Sequence, residues 1–386
     1  MQDKMKTEAI VSDASAASVE NRFASVYRVL SEAIAARAFP GCAFGVYADG
    51  KVVLQDALGR STYDSDAFEV TAETVYDIAS ITKVVATTAT AMLLTQRGLL
   101  DLDTPLGELL PGFVVGRATK ERAREVTIRH ILAHNSGLPG YAEIFRTATT
   151  PKYLLRACLQ MPLGAVPGTR AEYSDLGFIL LGKALEVLTR ESLATWAQSE
   201  VFDPLQLAAT GFNPARDVSS LIPPTENDTT FRQRRIQGEV QDENAWVLKG
   251  VGGHAGVFSN VPDLLRFAAA VLQAGRSGGD GVAPIEPLFS KPIVEQFAMR
   301  QGPEGSSRAL GWDTPSETSS AGHFFSEFSI GHLGYSGCSL WIDLDAEIAV
   351  VLLTNRTWPD RTSQLIREVR PAFHDAIRGA LASIEK

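Results

Sequence analysis

The 386-residue chain is poor in cysteine: Cys42, Cys158 and Cys338 make up the whole complement, an odd number at no metal-ligand spacing. That excludes a disulfide framework as the source of stability. Reduced thiols are expected, with Cys42 and Cys158 filling core space. Long apolar runs are also missing. The most apolar stretches, residues 84–94 and 267–272, fall far short of the roughly 20 residues that span a bilayer, and threonines interrupt the first. No membrane span is expected. Basic residues are scattered, and the net charge is −9 with a pI near 5.3, which argues against a nucleic-acid partner and for a small-molecule one. Residues 1–20 carry acids and lysines without the apolar core of a secretory signal, so a cytoplasmic location is expected. Nothing in the sequence speaks to oligomeric state. What is present, 45% hydrophobic and 21% charged residues, is an ordinary globular composition with enough apolar material for a sizeable core.

Periodicity and punctuation then divide the chain. Residues 20–39 read as an amphipathic helix stopped by Pro40-Gly41. Residues 42–47 and 51–58 read as a hairpin turned through Asp49-Gly50, a pair that accepts positive φ. A helical pattern runs from 80 to about 97, and helix or loop dominates to about 300, without strand–helix alternation. Residues 221–230 read as irregular. Strand patterns return at 324–332, 339–342 and 347–354, followed by a closing helix over 360–384. The class is therefore α+β, an antiparallel sheet built from both termini and flanked by helices, with an inserted, mostly helical region. The expected organisation is a disordered segment 1–19, a discontinuous sheet domain 20–79 plus 300–386, a helical region 80–299, and an active site between the two.

Three segments carry chemistry. In Asp77-Ile78-Ala79-Ser80-Ile81-Thr82-Lys83, Ser80 and Lys83 are three residues apart at the start of a helix, so they share a face and Lys83 can take the hydroxyl proton. Alone, this spacing is common, and a serine cap with a solvated lysine is then the better explanation. In Pro167-Gly168-Thr169-Arg170-Ala171-Glu172-Tyr173-Ser174-Asp175, a Pro-Gly turn leads into an apolar helix beginning near Leu176. Tyr173 on such a turn can present its phenol to a cleft, where a neighbouring cation would lower its pKa; core cover is the alternative. In Gly331-His332-Leu333-Gly334-Tyr335-Ser336-Gly337, glycines on a strand let a ligand approach the backbone and could offer an N–H to an oxyanion; a glycine-rich strand end without function is the alternative.

Taken together and in this order, the segments resemble the serine β-lactamase and penicillin-binding-protein superfamily, most closely its class C-like branch with the family VIII esterases. In that family Ser-x-x-Lys, Tyr-x-Asn and Lys-Thr-Gly or His-Thr-Gly follow one another. The resemblance spans residues 41–359 and includes the stretches 127–140, 201–205, 242–245, 253–260 and 336–342. It implies Ser80 as nucleophile, Lys83 and Tyr173 as the proton-transfer pair, an oxyanion hole from the backbone N–H of Ser80 and Tyr335, and Asp175, His332 and Gly334 along the substrate. It implies no cofactor and no metal. Two departures stand out: Asp175 occupies the asparagine position and Leu333 the threonine position. With His332 in place of lysine, binding of a β-lactam carboxylate is expected to be weak. The expected activity is hydrolysis, through an acyl-enzyme on Ser80, of a small carboxylic ester or a peptidoglycan-derived peptide or amide. The alternatives are a true β-lactamase and a non-catalytic ligand-binding member of the same fold.

Other patterns are decoys. The Gly-x-Ser-x-Gly string at 275–279, containing Ser277, follows a helix and lacks the strand of a nucleophile elbow, so it reads as a loop. Residues 250–255 imitate a dinucleotide fingerprint outside any βαβ unit. His130 and His134 are four apart on a helix but have no further ligand in view. His254 reads as a cleft wall or as a donor that locks its loop.

Overall fold

A computed structural model describes residues 22–117, 120–274 and 287–382. Helix α1 (Ala24–Ala35) leads into strands β1 (Gly41–Ala48) and β2 (Lys51–Gly59). They pair antiparallel through Asp49 and Gly50, both at positive φ as the sequence required. Strand β3 (Tyr76–Asp77) precedes the nucleophile segment, which is not one continuous α-helix. A 3₁₀ turn over Ala79–Ile81 and a wide π segment over Lys83–Thr88 come before helix α2 (Ala89–Gln96). Helix α3 (Asp175–Thr189) starts one residue earlier than its apolar pattern suggests, because the Ser174 hydroxyl caps it by accepting the Gly177 N–H at 3.0 Å.

The helical middle of the chain also contains short strands that its sequence did not announce: β4 (Gly211–Phe212), β5 (Glu226–Asp228), β6 (Arg234–Ile236) and β7 (Val257–Ser259). Strand β5 lies inside the stretch expected to be irregular and pairs with β6, while β7 joins β3 to β4. Two or three residues are too few for a period to show. Helix α4 (Val261–Leu272) is followed by β8 (Ser329–Leu333), β9 (Ser339–Asp343), β10 (Ile348–Thr354) and helix α5 (Ile366–Ala382). Strand β8 and α5 start several residues later than their sequence patterns do. The loop string with Ser277 and residues 1–19 lie outside the described residues.

The main sheet has the order β2–β1–β10–β9–β8, antiparallel throughout, so strands from both ends of the chain meet at the β1–β10 pair, Cys42 opposite Thr354 and Tyr47 opposite Ala349. Both faces of the sheet are covered, which is why β1 and β10 read as continuous apolar runs. On one face Phe44, Val350 and Leu352 pack against Val26 and Leu30 of α1 and Phe373 and Ile377 of α5. On the other, Ala43, Val351 and Leu353 join Val261 and Leu265 of α4 in the larger core. All three cysteines are free and buried. Among the described residues no helix is long and apolar enough to cross a membrane.

One close approach positions the site. Gly182 of α3 lies so near Gly253 that a Cβ on Gly253 would sit 2.2 Å from the Phe178 carbonyl and 3.0 Å from the Gly182 Cα. The fit lets the loop carrying His254 lie directly on α3. We expect Gly253→Ala to lower stability by about 1 to 3 kcal/mol, the usual cost of overpacking, read as a lower denaturation midpoint. An unchanged midpoint would mean that the loop does not need this contact.

Candidate active site

The site is organised around a lysine removed from water. Lys83 is fully buried, and its Nζ donates to Ser80 Oγ at 3.0 Å, Asp175 Oδ1 at 2.6 Å and the His254 carbonyl at 3.0 Å. An ammonium has three N–H donors, and here all three have acceptors. Burial is the largest influence on Lys83 and disfavours the charge. Asp175 and Tyr173 outweigh it, so the lysine is held above its ordinary pKa.

Local geometry brings these groups together. Ser80 sits in the 3₁₀ turn, with Ala79 before it in the left-handed region at φ +47°. Asp175 is the first residue of α3, pointed at Lys83 by the capped helix start. The ring of Tyr173 lies with its centroid 4.8 Å from Lys83 Nζ and 5.1 Å from the Arg308 guanidinium carbon, and against His134 at 4.7 Å. Lys83 and Ser80 both favour the Tyr173 phenolate. Burial raises the Tyr173 pKa, and the opposing pull of Lys83 does not reverse it. The lowered tyrosine pKa expected beside a lysine is therefore not found: Asp175 already balances that cation, and its own charge opposes a phenolate.

Ser80, Tyr173, Asp175 and Tyr335 line one cleft of about 540 Å³, together with Asp77, Tyr141, Glu226, Asp242 and Arg361 among others. Gly334 packs on the nucleophile turn; a Cβ there would lie 2.5 Å from the Ile78 carbonyl. This places the next residue, Tyr335, beside Ser80. Neither the Ser80 nor the Tyr335 backbone N–H has a hydrogen-bond acceptor among the described residues. His332 differs from the expectation that it lies along the substrate. It is buried behind Tyr173, ring centroids 5.8 Å apart, with Nδ1 donating to the Leu333 carbonyl at 2.8 Å. Burial first, then Lys83 and Arg308, push its pKa well below the ordinary histidine value, so it is neutral. Asp175 does line the cleft, but one carboxylate oxygen is committed to Lys83.

The remaining histidines find structural partners. His130 completes a capping box with Thr127, and His134 Nδ1 accepts the Ser174 N–H at 2.9 Å. Among the described residues no cluster could hold a metal ion. His254 locks its loop, as one of its two readings expected: Nε2 meets Asp242 Oδ1 at 2.8 Å, and its carbonyl takes Lys83. Burial opposes ionisation of Asp242, but His254 and the Ala245 N–H outweigh it and hold the carboxyl at about 2. The His254 contact left no sequence signal, because it is made by a backbone carbonyl 171 residues from Lys83.

Comparison with known proteins places this geometry. A family model described as Beta-lactamase matches residues 26–370. A putative D-alanyl-D-alanine carboxypeptidase of Salmonella typhi is 30% identical over 350 residues, 82% of this chain and 79% of the relative. An N-acetylmuramyl-L-alanine amidase of Bacillus subtilis (strain 168) is 28% identical over 83% of this chain and 78% of the relative. Among solved structures, EstCE1, a hydrolase with promiscuous acyltransferase activity, superposes with a TM-score of 0.72 at 22% identity, over 93% of this chain and 99% of that one. A class C β-lactamase of Rhodobacter sphaeroides superposes at 0.69 and 20% identity, over 92% and 99% of the two chains. These two show a shared fold.

The Lys83–Asp175 pair generates a pH prediction. Asp175→Asn removes a carboxylate that favours the ammonium and leaves burial, which disfavours it, so the Lys83 pKa should fall. The acid limb of kcat/KM, which reports groups on the free enzyme, should move to lower pH by about one unit or more. A raised KM with an unshifted profile would instead make Asp175 a substrate contact only.

Proposed function

The chain belongs to the beta-lactamase family and is a serine hydrolase, and from that premise we propose that it hydrolyses a small carboxylic ester or a peptidoglycan-derived peptide or amide through an acyl-enzyme on Ser80. The observation that carries the reading is the 3.0 Å contact between Ser80 Oγ and Lys83 Nζ on the wall of an open cleft. Ser80 Oγ attacks the carbonyl carbon, and its proton passes to the Lys83–Tyr173 pair once Lys83 has lost its own proton. The N–H groups of Ser80 and Tyr335 receive the oxyanion. The pair returns the proton to the leaving alcohol or amine as the C–O or C–N bond breaks. Water then attacks the ester on Ser80 with the same pair as base, releasing the acid and restoring the serine hydroxyl.

The substrate class rests on two supports. The two relatives described above carry the names D-alanyl-D-alanine carboxypeptidase and N-acetylmuramyl-L-alanine amidase, and the chain covers about four-fifths of each. In addition, the positions that would hold a β-lactam carboxylate offer it no cation. His332 is neutral and turned inward, and Leu333 has no hydroxyl.

Intact-mass analysis during turnover of p-nitrophenyl esters, D-alanyl-D-alanine peptides, muramyl peptides and a chromogenic cephalosporin tests the reading. An acyl adduct on Ser80 is expected with an ester or a peptide. Ser80→Ala should lose turnover by about 10³-fold or more, since the members of one catalytic unit fail together. Ordinary activity in Ser80→Ala, or a cephalosporin with a higher kcat/KM than every ester and peptide, would overturn it.

A further inference from the structure

Asp77 takes no part in the chemistry above, yet three segments of the site meet on it: the nucleophile turn, the wall that carries Asp242, and the Tyr335 hairpin. Its carboxylate is buried and accepts two backbone N–H groups: Ala79 on Oδ1 at 2.8 Å and Gln241 on Oδ2 at 2.7 Å. Its carbonyl accepts the Ser336 hydroxyl at 2.7 Å. Each partner belongs to a different part of the site. Ala79 precedes the nucleophile and is held at positive φ, a conformation that costs a residue with a Cβ about 1 kcal/mol. The carboxylate bond from two residues upstream offsets that cost, as in an Asx turn. Gln241 precedes Asp242, which holds His254, whose carbonyl holds Lys83. Ser336 follows Tyr335 in the hairpin that supplies the second oxyanion N–H, and Thr354 Oγ1 of β10 donates to its carbonyl at 3.1 Å.

We propose that Asp77 is a positioning residue for acyl transfer, its ionised carboxylate fixing the spacing between the Ser80 turn, the wall that holds Lys83 and the Tyr335 hairpin. The proposal rests on Ser80 being the nucleophile. Two N–H bonds need two acceptor oxygens. A protonated Asp77 keeps one good acceptor and turns the other oxygen into a hydroxyl, so one of the two segments loses its tether. Three charged or titratable groups act on Asp77: Asp242 on the cleft wall, Arg232, and Cys338, whose thiol donates to the Asp77 carbonyl at 3.8 Å. Burial raises the Asp77 carboxyl, the two N–H bonds and Arg232 pull it down, Asp242 adds to the rise, and the balance lies at about 6. The carboxylate is thus ionised at neutral pH and lost within a mildly acidic range.

The test follows the rate of Ser80 labelling by a fluorophosphonate against pH, in the full-length protein, with Asp77→Asn and Ser336→Ala alongside. In the parent, deprotonation of Lys83 gives the logarithm of the rate one unit of slope across the neutral range. Asp77 adds a second unit below about pH 6. Asp77→Asn should label about 10- to 100-fold more slowly at pH 7.5 and lose the extra slope. Ser336→Ala should slow labelling less and keep it. A purely structural Asp77 would leave the slopes of folded protein unchanged. A parent profile with no steepening down to pH 5 overturns the proposal however Asp77→Asn behaves, as does an Asp77→Asn enzyme that labels within threefold of the parent. Absence of Ser80 labelling at every pH would overturn the nucleophile assignment and this proposal with it, whereas labelling indifferent to Asp77 overturns the proposal alone.

Discussion

The buried ammonium of Lys83 is the constraint on which the rest of the site depends. A charge with no access to water is tolerated only where its donors are satisfied and an opposite charge lies close. The acceptors here come from three distant parts of the chain: Ser80 on the nucleophile turn, Asp175 at the start of α3, and the His254 carbonyl on the glycine-rich loop. Folding the site and satisfying the lysine are therefore one event. Loss of the Asp175 carboxylate would leave burial to act against the charge, whereas loss of the Ser80 hydroxyl removes only a neutral acceptor.

The scaffold makes this convergence possible through close backbone contacts. Gly182 against Gly253 brings the His254 loop onto α3, and Gly334 against Ile78 brings the β8–β9 hairpin onto the nucleophile turn. The sheet supplies the fixed reference, since β10 holds both β1 and β9, and Thr354 at its end bonds the Ser336 carbonyl in the hairpin turn. Asp175 gives the site an electrostatic character of its own. A carboxylate at that position stabilises the lysine as a cation, whereas the asparagine that the resembled family usually carries there could not do so by charge.

How much of this was legible in the sequence follows from the length scale of each signal. The hairpin through Asp49-Gly50, the apolar runs of β1 and β10 and the 3.6-residue pattern of α3 and α5 are local and long enough to read. The Ser80–Lys83 spacing is local too, and Tyr173 and Tyr335 can be singled out in the sequence only through the order of their motifs along the chain. Strands of two or three residues such as β3 and β5 carry no period, and the π segment over Lys83–Thr88 looks like any apolar helix. The direction of Asp175 and the inward burial of His332 depend on tertiary packing, so the same letters would serve a residue facing the substrate. Asp77 did leave a faint sign, a carboxylate two residues before a strained alanine and three before the serine, but its bond to Gln241 spans 164 positions.

The ionisation state of Lys83 tests the account most directly. In protein labelled with 15N-lysine, the Nζ resonance assigned by its loss in Lys83→Arg should keep the ammonium chemical shift from neutral pH to beyond pH 10, because Asp175 and Tyr173 outweigh burial. A Lys83 resonance that moves to the neutral-amine position at or below pH 8 would contradict it, and would show a lysine governed by burial alone.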